Sequence, residues 1–116
     1  MENILDKLGF HEKWHLTNSN RKKCMYSINE PIIDYILEKL NINNGFFVEF
    51  GAWDGVNLSN CRKLYETGWT GMYIEADIIK YSELEKNYKN NNKIITVNSF
   101  VDEKDNSLDK ILKKHN

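Results

Sequence analysis

The strongest constraint on this chain is an apolar, strand-like run that ends in a glycine turn. Phe46 to Phe50 is rich in aromatic and β-branched residues, which is typical of a buried strand. Gly51 and Gly55 follow and allow the backbone to turn sharply. A helix is predicted next, over residues 58–67, with Gly68 closing it. A strand, a tight turn and a helix in this order indicate the first unit of an α/β fold.

The same alternation continues along the chain. Strands are predicted at residues 71–75 and 93–97, and helices at residues 78–88 and 108–112. A further helix precedes the first strand, with Asn29 as its cap and Pro31 in its first turn. The apolar residues that share one face of this helix are Ile32, Ile33, Ile36, Leu37 and Leu40. Right-handed crossovers then give about three parallel strands in the order 3-2-1, sandwiched between helices in three layers. Residues 1–28 form a separate helical and loop segment in this interpretation, and residues 29–116 form the α/β unit.

Composition excludes several classes of protein. The chain has 116 residues and a formal net charge of -1, which suits one small domain without general attraction to nucleic acid or anionic membranes. No apolar stretch approaches the length of a membrane span, and no secretory signal is recognisable. With Cys24 and Cys61 as free thiols, the chain is expected to be a soluble cytoplasmic protein.

The glycine turn and a later acid suggest a nucleotide-like cofactor. The pattern is E-x-G-x-x-x-G from Glu49 to Gly55, with Trp53 where a dinucleotide fingerprint has its middle glycine. The bulky Trp53 disfavours a pyrophosphate on the turn and tolerates a cofactor without phosphate, such as S-adenosylmethionine. Glu75 ends the second predicted strand and can accept hydrogen bonds from both ribose hydroxyls.

Three segments resemble the FkbM-type methyltransferases. Residues 48–60 (VEFGAWDGVNLSN) are similar to the family pattern "v-E/D-x-G-A-x-D-G…S-N", and residues 68–75 (GWTGMYIE) are similar to "G-W-x-G-x-x-I-E". Residues 106–112 (NSLDKIL) are similar to the family's "s-L-D-x-i-L" segment. The resemblance implies a Rossmann-like, S-adenosylmethionine-dependent domain that methylates a hydroxyl oxygen. Glu49, Gly51 and Gly55 then lie along the methionine part of the cofactor. The cofactor-binding residues implied are Glu49, Gly51, Ala52, Gly55, the ribose acid Glu75, and Asn98 and Ser99 beside the adenine.

The family pattern extends further than this sequence. It continues into a fourth strand with an acidic "I-D-x-x-G" motif, whereas this chain ends at Asn116. The resemblance therefore covers only the N-terminal half of such a domain and assigns no catalytic residue. Residues 46–50 are expected to form an open, apolar edge that self-associates or binds a partner chain. The alternative is a degenerate, non-catalytic remnant that serves as an interaction module.

Other motifs favour simpler explanations. Residues 11–15 match H-E-x-x-H, the zinc-protease pattern, but Lys13 is unusual within it and the zinc hydrolase is a remote hypothesis. Cys61 is predicted to be a buried small hydrophobe, not a nucleophile. Trp53 either lines the cofactor pocket or covers the sheet edge, and Trp69 is expected to pack on the core.

Overall fold

A computed structural model describes residues 26–115 and contains four helices and three strands within them. Helices and strands alternate strictly through all seven elements. This order confirms the α/β class, with three parallel strands and flanking helices. In chain order they are α1 (Glu30–Lys39), β1 (Phe46–Phe50), α2 (Arg62–Glu66), β2 (Thr70–Glu75), α3 (Ile78–Asn87), β3 (Ile94–Asn98) and α4 (Leu108–His115).

The sheet has β2 at its centre, with β1 on one side and β3 on the other. Both pairings are parallel, and Val48 lies beside Met72 while Met72 lies beside Ile95. The central strand is the most deeply buried, since all of it except Thr70 is removed from solvent. The carboxyl ends of the three strands meet at one edge of the sheet, which is where α/β folds usually bind ligands.

Helices cover both faces of the sheet. On the first face, Tyr73 and Phe47 form a first core cluster with Leu84 of α3 and with Tyr88, the residue just after α3. On the second face, Met72, Ile74 and Val97 form a second core cluster with Ile111 of α4. Trp69 is buried in the first cluster, as its position after Gly68 predicts.

The helix predicted over residues 58–67 is wrong at its start, because α2 begins only at Arg62. Leu58 adopts a positive φ of 57° and is 76% exposed, so it is not part of a buried helical face. Side-chain oxygens of Asp54 and Ser59 accept backbone N–H groups in this segment and hold it as a loop. Such local acceptors compete with helical hydrogen bonds.

The first helix is found where it was predicted, but its surroundings differ. Asn29 makes no side-chain cap bond and donates instead to the Asn60 side chain at 3.0 Å. Ile36 and Leu40, two members of its predicted apolar face, are exposed. The amphipathic pattern thus predicts the helix correctly and its burial only in part.

No helix within residues 26–115 is long and apolar enough to cross a membrane. The H-E-x-x-H motif, Cys24 and residues 1–25 of the predicted N-terminal segment lie outside the described residues. The zinc hypothesis therefore stays a prediction about another part of the chain.

Candidate functional site at the carboxyl edge of the sheet

The glycine loop between β1 and the following segment is a compact turn. Gly51, Trp53 and Gly55 all have positive φ angles, of 68°, 52° and 72°. The Gly55 N–H donates to the Ala52 carbonyl at 2.9 Å and closes the turn. The Ala52 N–H donates to the carbonyl of Ile74 at 3.1 Å and ties the loop to the end of β2.

Glu75 joins the end of β2 to this loop. Its side chain is buried, with 7% of the residue exposed. One carboxylate oxygen accepts the Trp53 N–H at 2.7 Å, and the other accepts the Asp77 N–H at 2.9 Å. The loop and the acid, which are about twenty residues apart in sequence, are therefore in direct contact at the carboxyl edge.

Asn98 and Ser99 continue the same edge beyond β3. The Asn98 side-chain amide donates to the carbonyls of Glu75 and Ala76, at 2.8 and 3.1 Å. The Ser99 N–H donates to the Glu75 carbonyl at 3.2 Å. Both residues also line a cleft of about 410 Å³ that α4 borders on its other side. The residues predicted from sequence for the ribose and adenine are thus neighbours in space.

Glu49 lies further from this edge and contacts the segment after the glycine loop. One carboxylate oxygen accepts the Asn60 N–H at 2.6 Å, and the other accepts the Ser59 hydroxyl at 3.0 Å. The Ser59 hydroxyl also bonds the Tyr73 hydroxyl, at 3.0 Å. Glu49 therefore supports the loop through residues 59 and 60, and its role beside the methionine part of a cofactor stays a prediction.

The electrostatics of Glu49 lead to a pH-dependent stability. Burial raises the pKa of its carboxyl, and the hydrogen bonds from Asn60 and Ser59 offset this only in part. Above the ordinary glutamate pKa, the folded state binds more protons at this site than the unfolded state. Stability is therefore lost as the pH rises from the unfolded pKa through the raised folded pKa, and it levels off above that.

Replacing Glu49 with glutamine should remove this loss. The amide can still accept the Asn60 N–H and can donate to Ser59, so the fold is expected to persist. We expect the stability of the variant relative to the wild type to increase between about pH 4.5 and pH 7, because only the wild type carries the titrating carboxyl. Urea unfolding across this range measures the difference, and parallel curves for the two proteins would contradict it.

Two polar residues that the sequence analysis missed hold the loop in shape. One Asp54 oxygen accepts the Val56 and Asn57 N–H groups at 2.9 and 2.8 Å, and the Asp54 carbonyl accepts the Asn87 side-chain amide. Ser59 accepts the Arg62 N–H at 3.0 Å at the start of α2. The signal was present in the sequence, because aspartate and serine readily bond backbone N–H groups two and three residues ahead.

Trp53 and Cys61 occupy the flanks of the site. The Trp53 indole N–H donates to Glu83 of α3 at 2.7 Å, so the ring lies against α3. Cys61 is half-buried and packs beside the core, where burial and the nearby Glu49 raise its pKa to about 12. A thiol with this pKa stays protonated at neutral pH, as expected for a packing residue. Residues 26–115 contain no cluster of His, Cys, Asp and Glu that could hold a metal ion.

Comparisons with known proteins add no assignment. No protein-family model, curated protein or solved structure matches the chain at a significant level. The resemblance of residues 48–75 to the FkbM-type methyltransferases therefore stays a hypothesis.

Proposed function

We propose that this chain binds S-adenosylmethionine through the glycine loop and Glu75, as the cofactor-binding half of a methyltransferase. The observation that carries the proposal is the bond of 2.7 Å from the Trp53 N–H to the Glu75 carboxylate. It fixes the acid at the end of β2 beside the loop at the end of β1. Ligands of parallel α/β sheets bind at this edge.

The carboxylate of Glu75 retains acceptor capacity for a ligand. An ionised carboxylate offers about four lone-pair sites, and the Trp53 and Asp77 N–H groups use two of them. The remaining sites match the two hydroxyls of a ribose. The low local dielectric around a buried carboxylate strengthens such bonds.

The charges near the loop favour a cationic cofactor over a phosphorylated one. Carboxylates of Glu49, Asp54 and Glu75 lie on or beside the loop, which disfavours a phosphate and suits a sulfonium. In addition, α2 begins only at Arg62, so among the described residues no helix begins directly after Gly55 to receive a phosphate at its N-terminus.

The chemistry expected from this half is binding and orientation. The cofactor carries the reactive methyl group, and the protein supplies position and electrostatics. We propose a hydroxyl oxygen as the acceptor, following the resemblance. Residues that bind the acceptor are proposed to come from further sequence or a partner chain, and the setting is proposed to be cytoplasmic.

Calorimetric titration with S-adenosylmethionine tests the binding site. We expect one cofactor per chain, and we expect Gly51→Asn to weaken binding at least about tenfold. Asparagine tolerates the positive φ of Gly51, and no atom of residues 26–115, its two chain neighbours apart, lies within 4 Å of an added Cβ there. The new side chain therefore occupies the space of the proposed cofactor without disturbing the protein's own packing.

Gly68→Asn is the matched control. Gly68 also has a positive φ, of 106°, and no described residue except its chain neighbours lies within 4 Å of an added Cβ, but it lies beyond α2 and away from the carboxyl edge. The Gly68→Asn variant should bind the cofactor as the wild type does. A folded wild-type protein that gives no heat at millimolar cofactor would overturn the proposal and favour the non-catalytic interaction module.

A further inference from the structure

The outer edge of β1 carries backbone groups that no described residue pairs. Within residues 26–115, β1 pairs only with β2. The Thr70 N–H donates to the Gly45 carbonyl at 3.2 Å, which fixes the phase of the hydrogen-bond ladder. In a parallel ladder, alternate residues of a strand bond to the same neighbour. The β1 residues whose N–H and C=O groups point to the free edge are therefore Phe46, Val48 and Phe50.

The same three residues form an apolar row. They point to the sheet face opposite Phe47, and Val48 packs against the second core cluster. Phe46 is 41% exposed and Phe50 is 59% exposed. Exposed strand edges of this kind tend to pair with another strand.

We propose that β1 pairs with β1 of a second copy of this chain, antiparallel and about a twofold axis at Val48. Val48 then faces the partner's Val48, and Phe46 faces the partner's Phe50. Residues with outward backbone groups meet only residues with outward groups, so every free N–H and C=O of both strands is bonded. The two sheets join into one continuous sheet.

The sequence of β1 is self-complementary in this register. Its three outward residues are apolar and symmetric about Val48, so they form one apolar cluster with their counterparts. The only charged residue of the strand, Glu49, lies opposite the partner's Phe47, which keeps the two carboxylates out of direct opposition. A closed twofold pairing of this kind gives a dimer and not a filament.

Disulfide trapping tests both the pairing and its register. In a background with C24S and C61S, V48C should crosslink efficiently when oxidised glutathione is added. Paired residues in such a ladder have Cα atoms about 5.5 Å apart, within disulfide range. The matched control F50C should not crosslink, because Phe50 faces the partner's Phe46. Equal crosslinking of the two variants, or none in V48C, would overturn the proposal.

Sedimentation equilibrium provides an independent measurement. The wild type should dimerise in the micromolar range, as expected for a small interface. V48P should raise the dimer Kd about thirtyfold, because it removes an N–H bonded only in the dimer, once in each copy. Proline is tolerated at an edge position whose N–H faces outward, and circular dichroism checks that the fold is kept. A wild type that stays monomeric at high micromolar concentration, as it would if β1 required a strand of a different protein, would contradict the dimer.

Discussion

Replacing Gly55 with alanine is expected to cost about 3 kcal/mol of the free energy of unfolding. A Cβ at this position would lie 2.5 Å from a ring carbon of Tyr88 and 2.9 Å from a methyl carbon of Leu84. Both side chains are buried in the first core cluster and cannot move aside freely. The positive φ of Gly55 adds backbone strain for any residue with a Cβ.

Gly51→Ala is the control that separates packing from backbone strain. Gly51 has nearly the same φ angle, but an added Cβ there meets no atom within 4 Å in the described part of the chain beyond its two neighbours in sequence. Its expected cost is about 1 kcal/mol, from the backbone alone. Urea unfolding followed by circular dichroism measures both variants, and equal losses would show that the contact with Tyr88 and Leu84 is unimportant.

The strands were predictable because buried strands leave a strong local signal. The prediction for residues 46–50 matches β1, and the prediction for residues 71–75 begins one residue after β2 does. The prediction for residues 93–97 begins and ends one residue before β3. Short apolar runs bounded by glycine or asparagine allow few other structures. The order of these runs also predicted the parallel sheet, since helices between strands require crossover connections.

The loop after Gly55 was not predicted, because its shape depends on side-chain hydrogen bonds. The apolar spacing of Leu58, Cys61 and Leu64 suggests a helix. Asp54 and Ser59 nevertheless bind the backbone of this segment, and Glu49, which belongs to β1, accepts the Asn60 N–H. The last of these is a tertiary contact that periodicity cannot reveal.

The candidate site was predictable as a set of residues but not as a network. Glu75 follows from its place at the end of the second strand. Its bond to the Trp53 N–H depends on how closely the loop approaches β2, which only the fold determines. The same holds for Asn98, whose side chain binds the backbone of Glu75 and Ala76.

The largest effect on ligand binding is expected for Glu75→Gln. The glutamine amide has a single oxygen, so its NH₂ group must face either the Trp53 N–H or the Asp77 N–H. An unpaired buried donor costs about 1–3 kcal/mol, and the unfolding free energy should fall by that amount. The amide also lacks acceptors for two ribose hydroxyls, so we expect S-adenosylmethionine affinity to fall about a hundredfold.

Glu85→Gln makes the same chemical change at an exposed position of α3 and controls for loss of charge. A ligand that binds only the native state raises the melting temperature, so the upward shift caused by the cofactor reports binding in each variant separately from its starting stability. We expect a full shift for the wild type and for Glu85→Gln, and almost none for Glu75→Gln while it is still folded. If Glu75→Gln kept the full shift, Glu75 would be a structural brace for the loop and the cofactor, if bound, would lie elsewhere.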